Sequence, residues 1–557
     1  MSSGVEALGN AVRADHVWLF RAAMAQGLTK PPVFPYVLLG TFFIPGIYLA
    51  IPHTNRPWLY QLRWAVMALI VAFNAKMMAD TSGANPAMAF GTGLYACWGI
   101  MNCFSAIIWK SPQFESERVL KVRVDRPEEA EKDKGGTMGG PVQARRGRKD
   151  AKAALANGDG VGEWRGYAAP DLKHGSVKTA PGNPDILLGE EGYEYYWEPF
   201  PADAPFSHRF NWAMDLVTNL RGEGWNFAIP TIPHPPPPEA PGSWERAKLE
   251  AIPKTVRAGY ARCNTTKEYL VHRLGSLALA YVLLDAMSTL MVMDPFFILG
   301  TTDHPLPPYL ANVPPPLLHA GRSLLVLFAV YAFVFLVVAY IDLIQFFIGG
   351  YFFPVRREPW CHCSIFGSIT EVLDRGLAGF WGGWWHQSFR VPFTAPVLWL
   401  VKKGYLRRRS GTTRLALSLS AFINSGLLHA CGSYTAMPRT EPHRLPLFFG
   451  LSAVGVILQQ GFCRAYGDVL GRLPKSVRRA GNLLFVAVWL ELTCWPLAQE
   501  FASAGVFLLE PVPVSVIRGL GFGFQEDDRW WWRWGGDYMV RWYSGERWWE
   551  SGFCFGL

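Results

Sequence analysis

Eight stretches of this sequence are continuous enough in apolar side chains to call for lipid rather than water. They are residues 35–51, 64–75, 87–109, 274–293, 324–347, 415–434, 446–462 and 482–495. A helix crosses a bilayer in about 20 residues, and backbone amides cannot face lipid unpaired. The expectation is an all-α, polytopic integral membrane bundle of about eight spans. The runs 64–75 and 482–495 are short, and either re-enter the membrane or extend into polar flanks. A length of 557 residues alone would suggest several soluble domains; hydropathy overrules it. The first 30 residues lack the basic start and clean apolar core of a cleavable leader, so the first run is expected to act as its own insertion signal.

The net charge of +9 is informative through its placement. Arg356, Arg357, Arg375, Arg390, Lys402, Lys403, Arg407, Arg408, Arg409 and Arg414 lie between the fifth and sixth runs. Arg464, Arg472, Lys475, Arg478 and Arg479 follow two crossings later, on the same side. Short basic loops stay in the cytosol, so that side is expected to be cytosolic. These cations flank spans and build no separate basic domain, which argues against nucleic acid as a partner.

The chain divides into N-terminal spans (1–109), a polar insertion (110–200), a mixed segment (201–272), a second membrane region (273–524) and a Trp/Arg-rich tail (525–557). Within the insertion, 128–160 has almost nothing apolar to bury and is expected to be disordered. In the mixed segment, RFNWAMDLVTNLRGEGWNF (209–227) places Phe210, Ala213, Met214 and Val217 at helical spacing. It reads as an amphipathic helix on the membrane surface, followed by a stiff proline-rich linker at 233–242. Asn264-Thr265-Thr266 matches a glycosylation sequon but falls on the cytosolic side. The tail, with RWWWRW and RWWE, reads as an interfacial belt. Cys361-His362-Cys363 is too compact to surround a tetrahedral metal, and no second pair follows at metal spacing; no metal is expected.

Two stretches carry candidate chemistry. FWGGWWHQSFR (380–390), taken as a helix, sets His386 over Gly382 and Gly383, because helical side chains lean toward the N-terminus. Trp381, Trp384 and Trp385 wall the resulting space, and Arg390 lies a turn on. The segment fits a binding rim or an interfacial anchor equally well. In FINSGLLHACGSY (422–434), His429 lies inside a run that should be embedded. Ionisable groups there mark function by default, although Ser425, Gly426, Gly432 and Ser433 around it also fit a close-packing face. Histidine suits general base work near neutrality. Asp285, Asp294, Asp342 and Glu491 lie in or near spans and support a competing reading as a membrane transporter. No P-loop, dinucleotide fingerprint or GxSxG elbow occurs.

The stretch CHCSIFGSITEVLDRGLAGFWGGWWHQSFR resembles the signature of wax synthase-like proteins in the membrane-bound O-acyltransferase superfamily. Phe366-Gly367-Ser368 supplies its first part; Phe380-Trp381-Gly382 and Trp385-His386 supply its last. SGLLHA (425–430) resembles the superfamily's embedded histidine motif, and 209–227 and PVPVSVIRGLG (511–521) resemble blocks of fungal members. The family usually has two arginines where Gly383-Trp384 stand here. The resemblance implies a catalytic wax synthase-like region over 273–524 with an internal tunnel. It implies acyl transfer from acyl-CoA to a hydroxyl of a lipophilic acceptor, a terpenoid or other secondary metabolite, or alternatively a long-chain alcohol in wax ester synthesis. In that reading His429 takes the hydroxyl proton and His386 orients the donor or stabilises the oxyanion. Trp381, Gly382, Trp385, Gln387, Arg390 and Ser425 contact substrate. No cofactor is needed beyond acyl-CoA as co-substrate. The expected location is the endoplasmic reticulum membrane, with the His386 motif at the cytosolic face.

Overall fold

The computed structural model describes residues 3–123, 189–190, 192–523 and 531–555; the run 128–160 lies outside them, as does part of the tail. In chain order the helices are α1 (Ser3–Ala25), α2 (Ile44–Ala50), α3 (Arg63–Asp80) and α4 (Pro86–Cys103) before the insertion. After it come α5 (Phe206–Val217), α6 (Thr266–Met291), α7 (Pro315–Ile344), α8 (Thr370–Gly379) and α9 (Arg390–Lys402). The last four are α10 (Gly411–Tyr434), α11 (Arg444–Ala465), α12 (Lys475–Thr493) and α13 (Trp495–Ser503).

Six stretches of helix among the described residues are long and apolar enough to cross a membrane: Pro57–Asp80, Pro86–Trp109, Thr266–Met291, Pro315–Phe352, Gly411–Tyr434 and Arg444–Ala465. The pair α12 and α13, bent by 46°, makes a seventh if it forms one span. The weak run 64–75 does extend into its polar flanks. The first run, 35–51, falls short of an independent span. Its apolar helix covers Tyr36–Ala50 and is interrupted by a π turn at Leu39–Phe43. At 1.5 Å per residue it reaches only about 22 Å, short of a hydrocarbon core of about 30 Å.

Span starts are written in the sequence. Asn85 caps α4 by accepting from Ala87 N, with Pro86 at the first position. Thr265 accepts from Glu268 N while Glu268 accepts from Asn264 N at 2.7 Å, a reciprocal capping box. The sequon residues are therefore a helix cap.

The acids near spans are held by partners. Asp285 accepts from Ser515 Oγ at 2.5 Å and from Ile517 N at 2.8 Å, which docks the 511–521 block against α6. Asp342 pairs with Arg273 at 2.9 Å, Asp294 with Arg322 at 2.7 Å, and Glu491 with His319. An ion path along Asp285 and Asp342 loses its support, because both carboxylates serve as internal ties.

Two β elements accompany the helices. β1 (Arg118–Arg123), β2 (Tyr193–Glu198) and β3 (Glu245–Arg246) form an antiparallel sheet in that order. β4 (Val540–Tyr543) and β5 (Gly552–Phe555) form a hairpin in the tail. Phe553 of that hairpin pairs with Phe34, and Arg13 bonds Glu510 at 2.8 Å, so the tail is fastened to the N-terminal region. Arg518 and Arg533 also reach Glu510. Burial would raise its carboxyl, but Arg518, Arg13 and Arg533 hold it down at about 2.

The helix expected to lie on the membrane surface is α5, and its apolar face is turned into protein. Trp212, Ala213, Leu216 and Val217 are buried in a core with Leu49, Ile70 and Ile107. Asp215 on the same helix accepts from Arg356 Nε at 2.8 Å. Helical spacing reveals an apolar face but not whether lipid or protein covers it.

Candidate active site

The second large core gathers α4, α8, α10 and α11 with the FWGGWWHQSFR segment. The segment is not the continuous helix expected from its sequence. A π turn spans Phe380–Trp384, Trp385 is extended (φ −63°, ψ 150°), and helix resumes only at Arg390. Such turns are rare and gather at functional sites. The cause is local. Gly367 N donates to Trp384 O at 2.9 Å and Tyr260 Oη to Trp385 O at 2.9 Å, drawing both carbonyls out of helical pairing. A side chain at Gly367 would strike Gly383 O, so Phe366-Gly367-Ser368 and Phe380-Trp381-Gly382 form one packed unit.

Of the two glycines, Gly383 vacates no room. A Cβ on Gly383 would meet the Glu371 side chain, while Gly382 faces open space near Arg375. Glu371 in turn holds Arg375 at 2.5 Å. Trp384 stacks on Tyr331 of α7 with centroids 5.6 Å apart.

The expected substrate contacts divide on inspection. Gln387 is buried and donates to Trp381 O (2.9 Å) and Trp385 O (2.7 Å). Arg390 donates to Gln387 Oε1 at 2.9 Å and Gly382 O at 3.3 Å. These two side chains brace the loop, and Gly382 takes part through its carbonyl. Trp381 and Trp385 present their rings inward, with centroids 5.9 Å apart. Trp385 lies beside His386 at 5.5 Å.

His386 packs edge-on against Phe366 (6.3 Å) and Phe389 (5.9 Å). Its Nδ1 is buried without a hydrogen-bond partner. Burial first, then positive charge on His429 and Arg221, pushes its pKa down to about 3. Their influence on His386 places both histidines and Arg221 in one electrostatic neighbourhood. His429 Nδ1 donates to Ser425 O at 2.8 Å. A carbonyl only accepts, so in the neutral ring the lone pair sits on Nε2. The ring packs on Phe449 of α11, centroids 4.9 Å apart. Phe449 also touches Trp381 at 6.0 Å. Ser425 thus contributes its carbonyl, as an orienting group for His429.

The small residues around His429 are a packing face, as their spacing allows. Gly426 lies against Pro446, and Gly432 against the Phe90 ring. Gly93 of α4 fits where a Cβ would overlap the Cys431 carbonyl, and its N–H donates to Thr435 Oγ1 at 3.0 Å. Gly93→Ala is expected to cost about 1–3 kcal/mol of stability through overpacking and to lower activity by displacing α10. Thermal unfolding in detergent checks the first effect; an unchanged midpoint would show that the two helices slide apart freely.

Arg221, Tyr260, Glu371 and Phe449 were not singled out by sequence. Only Arg221 had a signal, since it opens the Arg-Gly-x-Gly-Trp near the end of the 209–227 block. Phe449 lies in an undifferentiated apolar run.

Residues 362–451 match the Membrane bound O-acyl transferase family, and the relatives that the chain resembles are fungal proteins. Among its relatives are "O-Mevalon transferase macI" of Penicillium terrestre, 25% identical over 58% of this chain and 65% of that protein, and "O-Mevalon transferase yanI" of Aspergillus niger, 27% identical over 44% of this chain and 50% of that protein. "Acetyltransferase pyr8" of Aspergillus fumigatus is 31% identical over 28% of this chain and 37% of that protein. The matches span less than two thirds of the length of these relatives. No solved structure matches the chain significantly. The apolar helices and the family match make it an integral membrane protein.

Proposed function

We propose that this protein transfers an acyl group from acyl-CoA to a hydroxyl of a lipophilic acceptor. The observation that carries the reading is the tautomer of His429: Nδ1 is committed to Ser425 O, which leaves Nε2 to take the acceptor's proton. The alcohol oxygen then forms a bond to the thioester carbonyl carbon, whose π pair moves to oxygen. Collapse breaks the C–S bond, and CoA leaves as the thiol with the proton. A neutral His386 beside the reacting carbon positions the donor and bonds the developing oxyanion. The reaction needs no resident cofactor.

The names of the relatives, acetyltransferases and mevalonyl-type transferases, support a small acyl group and a terpenoid or other secondary-metabolite acceptor. The basic ends of α9, α10 and α12 support a cytosolic donor entrance in the endoplasmic reticulum membrane, with a channel through the bundle bringing the acceptor from lipid. The test is thiol release by membranes carrying the protein. Acetyl-CoA and longer acyl-CoAs would be offered with terpenoid alcohols and with long-chain alcohols. Release with terpenoid alcohols supports the reading, release with long-chain alcohols alone makes it a wax ester synthase, and no release with any pair overturns acyl transfer.

A further inference from the structure

Trp381 carries a second anomaly in the same core. Its Nε1 is buried and has no hydrogen-bond partner. Buried polar groups are rarely left this way in native proteins, and each exception asks for a cause. An indole N–H has one capacity only, to donate, so its missing partner must be an acceptor. The immediate neighbours of the ring supply none. Phe422, Phe448 and Phe449 lie at 5.9, 6.1 and 6.0 Å, and Trp385 at 5.9 Å.

Position narrows the choice of acceptor. Trp381 touches Phe449, the ring on which His429 packs, and Trp385, the ring beside His386. It therefore stands between the proposed base and the second unpartnered nitrogen, His386 Nδ1. Its backbone is fixed in the π turn, where Gln387 Nε2 donates to Trp381 O at 2.9 Å. A donor on a fixed backbone, buried and flanked by the rings that lie against both histidines, has the makings of an oxyanion site.

Resting on the acyl-transfer reading above, we infer that Trp381 is a catalytic residue whose indole N–H donates to the carbonyl oxygen of the acyl thioester. As the acceptor oxygen bonds to the carbonyl carbon, the C=O π pair becomes an oxygen lone pair, and the Trp381 N–H bond to it strengthens. When the C=O re-forms and the C–S bond breaks, that hydrogen bond weakens again. Unlike His386, whose tautomer is free to vary, Trp381 offers its proton in every state.

The test is Trp381→Phe, which keeps an aromatic ring and removes the donor. The expected result is a fall in kcat of about 100-fold, the range for one oxyanion donor, with KM for the acceptor and the thermal midpoint nearly unchanged and KM for the acyl donor raised no more than about 10-fold. Two unreactive donor analogues separate this from a packing role. A thioether of CoA, lacking the carbonyl oxygen, should bind wild type and variant alike. A ketone analogue, keeping that oxygen, should bind the variant about 10-fold more weakly. Wild-type kcat in the variant, or equal loss of both analogues, overturns the assignment; either would mean an indole satisfied by a water or by an aromatic face. Should Trp381→Phe fail to fold, the wild type's preference for ketone over thioether decides, and a ratio near one overturns it. A wild type that releases no CoA sinks acyl transfer itself, whereas an active wild type matched by its variant sinks only the role of Trp381.

Discussion

His429→Ala is expected to lower CoA-releasing turnover about 1,000-fold, within the range of a lost general base, while the protein stays folded. The ring contributes little to architecture. It rests on Phe449, and its one hydrogen bond goes to a carbonyl of its own helix. KM should change little, because the lost interaction belongs to proton transfer. The acid limb of the pH–rate profile should disappear with His429 and not with His386. Burial, then charge on His429 and Arg221, holds His386 at about 3, so it stays neutral throughout the neutral range. A variant keeping a tenth of wild-type turnover would show that another group takes the proton.

The largest loss of stability is expected from Asp294→Ala. Asp294 Oδ2 accepts from Arg322 Nε at 2.7 Å, and Oδ1 from Arg322 Nη2 at 2.8 Å. Oδ1 also caps the helix Pro295–Leu299 through Phe296 N at 3.0 Å. Both charged partners are buried, and the guanidinium lies over the Phe296 ring at 4.9 Å. Truncation strands a buried cation, which costs about 3–5 kcal/mol, and removes a cap worth about 1 kcal/mol. Thermal unfolding in detergent reads the sum. Pairing Asp294→Leu with Arg322→Met should recover most of it, since the penalty is an unpaired charge rather than a missing attraction. A loss under about 1 kcal/mol for Asp294→Ala would mean that water reaches Arg322.

The spans were legible because lipid imposes a length and a composition that few soluble segments satisfy. The order of the motifs was legible too, and with it the pair His386 and His429. What sequence could not show is how the backbone leaves the helix at Trp385. That depends on Gly367 and Tyr260, far along the chain, drawing off two carbonyls. The bracing bonds of Gln387 and Arg390 were hidden for the same reason: polar residues beside a presumed site do not reveal the loop they hold. Likewise the void assigned to Gly382 and Gly383 followed from helical geometry, and with the helix broken Gly383 admits Glu371 instead.

The ties between Arg13 and Glu510, and between Phe34 and Phe553, have a consequence for biogenesis. Helices enter the membrane in order of synthesis, but Glu510 and Phe553, which close these two ties, arrive only when nearly the whole chain has been made. Insertion and final assembly are therefore separate events, and the clasp on α1 closes last. Long-range closure of this kind is slow and leaves intermediates exposed. Chains cut short before residue 510 should reach the membrane yet stay protease-sensitive near residue 34, because the clasp that ends maturation is missing.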